Sequence, residues 1–163
     1  MRKLLLILAA SLLMAGCSAK ETFETLGVIQ HQVDVIPPMA EVMLALPEDV
    51  TAETFWGSGE AVYECSGYTL ALQTLSSGDL HKTVAMLSGF SPNQLAIVES
   101  MQGEVKRYDW VWTAVGEEGE LICRASVLDD GSYHYCIYTI APAETGGKIM
   151  PVWNNIFASF QLQ

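Results

Sequence analysis

Residues 105–140 alternate apolar and polar side chains through three stretches, and the two breaks between the stretches carry turn chemistry. An antiparallel meander is the arrangement that satisfies both features, because a period of two places alternate residues on one face of a sheet. The first stretch, 105–115, puts Tyr108, Trp110, Trp112 and Ala114 on one face. Gly116-Glu117-Glu118-Gly119 turns the chain into 120–128, where Leu121, Cys123, Ala125 and Val127 share a face. Asp129-Asp130-Gly131-Ser132 turns it again into 133–140. Asp130-Gly131 is a strong two-residue hairpin signal, since both residue types tolerate positive φ.

The rest of the chain is read around this meander. Residues 61–65 and 68–75 flank Ser66-Gly67 as a hairpin, with Tyr68, Leu70 and Leu72 on one face. Two further strands, 32–35 and 41–46, are separated by Pro37-Pro38, because proline restricts a strand to its ends or to a sheet edge. A strand over 95–101 precedes Gly103. Between hairpin and meander, Asp79 is placed to cap a short helix, Leu80, Val84 and Leu87 line one side of it, and Gly89 suits its left-handed end. His81 and Lys82 then point outward. At the end of the chain Ile149, Val152, Trp153, Ile156, Phe157 and Phe160 recur at helical spacing, with Pro151 expected in the first turn. The fold class is α+β: an antiparallel sheet of hairpin plus meander, with a short internal helix and a C-terminal helix packed on it.

The first residues carry an address. Met1-Arg2-Lys3 precedes a charge-free run from Leu4 to Leu13, and Met14-Ala15-Gly16-Cys17-Ser18 follows. A basic head, a short apolar segment and small residues before a cut site make a secretory signal. The run falls well short of the roughly 20 residues that span a bilayer. The segment Met14–Cys17 resembles the lipobox of bacterial lipoprotein precursors, with Met14 where Leu is usual. That resemblance implies cleavage between Gly16 and Cys17 and lipid (diacylglycerol, with palmitate-type chains) on Cys17. Two chains, at about 0.8 kcal/mol per buried methylene, hold a protein stably on a membrane. The expected organisation is a signal peptide over 1–16, a lipidated tether over 17–25 and one domain over 26–163. It places the domain outside the cytoplasm, on the cell membrane or the outer membrane.

The order of strands, mid-chain helix, long meander and final helix is similar to the PsbP/Mog1-like fold. The ending Trp153-Asn154-Asn155-Ile156-Phe157-Ala158-Ser159-Phe160 resembles the closing helix of that group. The resemblance implies a domain that binds partners, and no residue here matches the partner sites of that group.

Charge narrows the function. The chain carries a formal −11, and loss of Arg2 and Lys3 with the signal takes it to −13. An acidic surface without a basic patch repels phosphate backbones, so nucleic acid is not an expected partner. It also repels anionic lipid, so the domain stands off the membrane that holds it.

No nucleophile elbow, P-loop, dinucleotide fingerprint or His-Glu-x-x-His is present, and no catalytic residue, metal ligand or cofactor is assigned. His31, His81 and His134 stand singly. Glu117, Glu118 and Glu120 fall at one turn and Asp129 and Asp130 at the other, at opposite ends of one strand, so they form no carboxylate pair. Beyond Cys17 there are Cys65, Cys123 and Cys136. A two-residue loop at Asp130-Gly131 sets Ala125 against Cys136, which makes Cys123 and Cys136 diagonal neighbours and a bridge between them unfavourable, and leaves a pairing of Cys65 with either one open.

The aromatics offer the remaining surface. Tyr108, Trp110 and Trp112 read either as core under a helix or as a platform for a sugar or peptide. Tyr133 and Tyr135, facing away from His134 and Cys136, are the candidate exposed binding row. The reading that follows is a membrane-anchored, non-enzymatic binding module with an envelope protein or peptide partner. The alternative is an envelope hydrolase or thiol enzyme.

Overall fold

The structure, a computed structural model, describes residues 36–56 and 60–163. The expectations placed on residues 1–35, namely the signal, Gly16 and Cys17, the tether, His31 and a strand over 32–35, lie outside these residues. Residues Pro37–Gln163 form one compact unit.

Its frame is a seven-stranded, wholly antiparallel sheet. The strands are β2 (Ala52–Trp56), β3 (Glu60–Cys65), β4 (Tyr68–Ser76), β5 (Val98–Gln102), β6 (Val105–Gly116), β7 (Gly119–Asp129) and β8 (Tyr133–Pro142). Their order in space is β2-β3-β4-β8-β7-β6-β5, so β8 joins the N-terminal hairpin to the meander. Among the described residues two α-helices lie on opposite faces. α1 (Leu80–Ser88) packs Val84 among Tyr108, Trp110, Trp112, Cys123, Ala125, Val127 and Cys136. α2 (Gly146–Ser159) packs Ile149, Trp153, Ile156 and Phe157, with Phe160 just beyond it, onto Tyr63, Tyr68, Leu70, Leu128, Tyr135 and Ile137. A separate two-stranded ribbon pairs β1 (Val42–Met43) with β9 (Gln161–Leu162). The fold is α+β, as the patterning implies.

Local chemistry accounts for the element ends. Asp79 caps α1 by accepting the His81 N–H at 3.0 Å, and Gly89 ends it at φ +76. Gly67 supplies positive φ between β3 and β4. Arg107 holds the far end of α2: its Nη2 donates to the Phe157 carbonyl at 2.8 Å and its Nη1 to the Phe160 carbonyl at 3.2 Å. A cation on the last carbonyls of a helix satisfies orphan acceptors and complements the dipole.

Five expectations are corrected. The strand over 41–46 shrinks to Val42–Met43, because it runs beside α2 and meets only the short segment that follows the helix. The strand over 95–101 begins at Val98, since Ser91 and Gln94 close a capping box around Pro92–Gln94. β2 was not legible, as an exposed edge strand has no apolar face to alternate. Pro151 sits inside α2, not in its first turn, because the helix starts earlier at Gly146; Val152 points outward and is exposed.

The fifth concerns the β7–β8 register. Asp129 pairs with His134, Val127 with Cys136, Ala125 with Tyr138 and Cys123 with Ile140. The tip is Gly131-Ser132, one residue later than expected. Asp130 makes the difference: its Oδ1 accepts the N–H groups of both Ser132 and Tyr133 at 2.7 Å, so it flanks the turn and Gly131 takes φ +87. Cys123 therefore lies four residues along β7 from the partner of Cys136. That is roughly 13 Å at the rise of a strand, twice the reach of a disulfide. Cys65, Cys123 and Cys136 all carry free thiols.

Candidate interaction surface

Tyr133 and Tyr135 do not form an exposed row. Tyr135 is buried at 1% exposure beneath the segment that leads into β1. Its hydroxyl donates to Asp130 Oδ2 at 3.0 Å and accepts the Ala40 N–H at 2.8 Å. Tyr133 is half-buried and donates to the Pro37 carbonyl at 2.7 Å. Their face of β8 is the one that α2 and residues 37–44 cover, so the pair ties the chain entry to the sheet. Tyr108, Trp110 and Trp112 are core under α1, with the two indoles stacked at 6.3 Å.

The other face of β6 is open. By alternation, Arg107, Asp109, Val111, Thr113 and Val115 point to the α2 side. Register adds Val98 opposite Asp109, Ile122 opposite Thr113 and Arg124 opposite Val111. α2 lies over β7 and β8 and meets this region at its flank, through Gly146 near Ile122, Asn154 and the Phe157 ring on Arg124, and the Phe157 carbonyl on Arg107. Beyond that flank Val111 is 45% exposed, Val98 63% and Val115 92%, and Thr113 is exposed too. β5 is the free edge of the same region. Val111 and Val115, set between the buried aromatics of β6, were the sequence signal of a second apolar side, though not of whether a helix covers it.

Two arginines border this surface with different partners. Arg107 makes a bidentate pair with Asp109, at 2.7 Å through Nε and 3.0 Å through Nη2. Arg124 donates from Nη1 to Asn154 Oδ1 at 2.7 Å, and its guanidinium stacks on the Phe157 ring at 4.2 Å. Among the described residues its carboxylate partners number none within ion-pair distance. Burial lowers its pKa, Asp109 opposes that shift and Arg107 adds to it.

Sequence reasoning also missed a polar group in the core. His134 is 1% exposed. Its Nδ1 lies 2.8 Å from Thr83 Oγ1 on α1, and its Nε2 lies 3.7 Å from Asp129 Oδ2. Thr, His and Asp in a row resemble a nucleophile, base and orienting acid in outline. The geometry is that of a tie between α1 and the β7–β8 hairpin: Thr83 faces the sheet and is 7% exposed. The acidic turns are occupied as well. Asp129 accepts the Gly131 N–H, and Asp130 serves the hairpin. Burial pushes the Cys123 thiol up to about 11 and the Cys136 thiol up to about 12, the reverse of nucleophilic activation. Cys65 is shifted up too, chiefly by burial. His81 is exposed.

No family model and no curated relative matches the sequence. Solved structures do align with it. A crystal structure from Bacteroides thetaiotaomicron VPI-5482 aligns with TM-score 0.52 at 13% identity, over 78% of this chain and 47% of that one. This chain therefore spans about half the length of that protein, and at such identity the likeness is one of fold. The solution structure of cyanobacterial PsbP (CyanoP) from Synechocystis sp. PCC 6803 aligns with TM-score 0.44 at 10% identity, over 77% of this chain and 95% of that one.

Proposed function

We propose that this chain is an extracytoplasmic lipoprotein, held on a membrane by lipid on Cys17, and that its folded unit is a non-enzymatic binding module. The carrying observation is the open β-branched face of β5 and β6, set on a rigid core. Isolated exposed apolar residues are ordinary, whereas Val111 and Val115 share one face of β6 with Val98 on the neighbouring strand, and exposed apolar groups gathered on one face mark an interaction site. Among the described residues no helix is long and apolar enough to cross a membrane. The anchor in this reading is the lipid, and mass spectrometry of membrane-extracted protein tests it. The expected mature N-terminus is a lipidated Cys17, and Cys17→Ala is expected to leave uncleaved precursor or to release the protein from its anchor. A different mature N-terminus, or an unmodified Cys17, contradicts the assignment.

A hydrolytic reading is favoured by one observation, the 2.8 Å contact of Thr83 with His134 beside a concavity of about 400 Å3 that Thr83 helps to line. A fluorophosphonate probe separates the two. The binding module leaves Thr83 unlabelled, and covalent labelling that Thr83→Val abolishes establishes the hydrolase.

A further inference from the structure

We infer that the open face of β5 and β6 takes a polypeptide segment that pairs β-branched or aliphatic side chains with one carboxylate, and that Arg124 receives that carboxylate. The inference rests on the binding-module reading and names the chemistry of its partner.

Charge complementarity selects the carboxylate. Arg107 already has one, because Asp109 answers it through two hydrogen bonds. Arg124 has an amide oxygen in that place, from Asn154. A guanidinium carries five N–H donors in a planar fork that matches a carboxylate, and only one of them is engaged with Asn154. The group is also held in position, pinned from α2 by Asn154 and stacked on Phe157. A preorganised donor loses little side-chain freedom on binding, so more of the interaction appears as affinity.

The surroundings select the rest. Val111 stands directly opposite Arg124 on the neighbouring strand, and Val98, Thr113 and Val115 extend the surface along β6 and onto β5. A segment lying here covers apolar groups while its acid reaches a cation at the rim, beside α2. Asp109 does not repel it strongly, since Arg107 neutralises that carboxylate at close range. The chain's formal −11 does disfavour a polyanion, which feels the whole surface. A single carboxylate within a few ångströms of Arg124 is governed by the local pair, because salt screens exposed charges beyond about 8 Å.

The test uses the full chain extracted in detergent, with valine methyl groups labelled for NMR. The probes are two synthetic peptides, acetyl-Val-Thr-Ile-Thr-Asp-amide and the same peptide with Asn in place of Asp. The Asp peptide is expected to shift the methyl signals of Val98, Val111 and Val115, and to bind at least fivefold tighter than the Asn peptide. Arg124→Gln is expected to remove that preference. Val111→Glu, which brings a carboxylate of the chain's own to Arg124, is expected to abolish binding at this face.

Equal binding of the two peptides overturns the carboxylate assignment while leaving the face as a docking surface. Shifts confined to Val42 and Val152, in the grooves beside the β1 segment, overturn the location. No binding by either peptide overturns the inference, and a lipidated Cys17 in the same preparation then leaves the anchor standing.

Discussion

β6 shows two surfaces made by one stretch of chain. Toward α1 it presents Tyr108, Trp110 and Trp112, each buried, with Val84 of the helix pressed among them. Toward α2 it presents Val111, Thr113 and Val115, which the helix does not reach. The difference follows from where each helix lands. α1 and the residues after it cover the β6–β7 side of one face. α2 sits over β7, β8 and the N-terminal hairpin on the other, and leaves β5 and the far half of β6 bare. Aromatic content alone is thus a poor guide to a binding surface in this fold. The tryptophans of β6 are the filling, and the aliphatic residues between them are the outside.

The comparison breaks first at its buried side. Phe157→Ala and Trp112→Ala each remove a large core side chain and are expected to lower unfolding free energy by about 3–5 kcal/mol. Denaturant unfolding of the extracted protein measures both. A cost below about 1 kcal/mol for Trp112→Ala means the aromatic side is not core, and the two surfaces are misassigned.

The two arginines sharpen it next. Arg107→Met cuts four hydrogen bonds involving a charged group and strands Asp109, which points to a loss of about 2–3 kcal/mol. Arg124→Met gives up the Asn154 contact but keeps apolar cover for Phe157, so about 1 kcal/mol or less is expected. Equal losses would mean that Arg124 is as fully matched as Arg107.

The buried side also has a pH signature. The Cys123 and Cys136 thiols have folded pKa values near 11 and 12, above the ordinary 9.0. Burial keeps them protonated, so the folded chain binds more protons than the unfolded chain above pH 9. Stability is fully present below that pH and falls as pH rises toward the folded values, by about 1 kcal/mol per thiol at pH 10. Replacing both with Ala and comparing the difference in stability between pH 8 and pH 10 isolates the effect. The smallest change belongs to the open side: Val115→Thr is expected to stay within about 0.5 kcal/mol of the parent.

Much of this architecture is legible in the amino-acid sequence. Period-two alternation in β6 and β7 sets their faces, and helical spacing places Trp153 and Phe157 in the core. Asp79 and Gly89 mark α1 at both ends. The misses have two causes: the hairpin tip turned on side-chain contacts within the turn, the others named here on contacts distant in sequence. Asp130 moved the hairpin tip because Tyr135 and the N–H groups past the turn converge on it. Tyr135 lost its exposure to a segment more than ninety residues earlier, through Ala40. His134 joined the core because Thr83 of α1 arrives beside it. The open face escaped notice for the same reason, since nothing in 105–115 says where a helix at 146–159 will stop.

One labelling experiment reads both surfaces of β6 at once. Val111→Cys places a thiol on the open side, while the native Cys123, directly opposite Trp112, reports the closed one. The folded full chain is treated with iodoacetamide, and modification at each site is followed by peptide mapping. Val111→Cys is expected to react within about tenfold of a free thiol, and Cys123 at least a hundredfold more slowly. Protection at position 111 comparable to that of Cys123 would show that the face is covered, and would contradict the account.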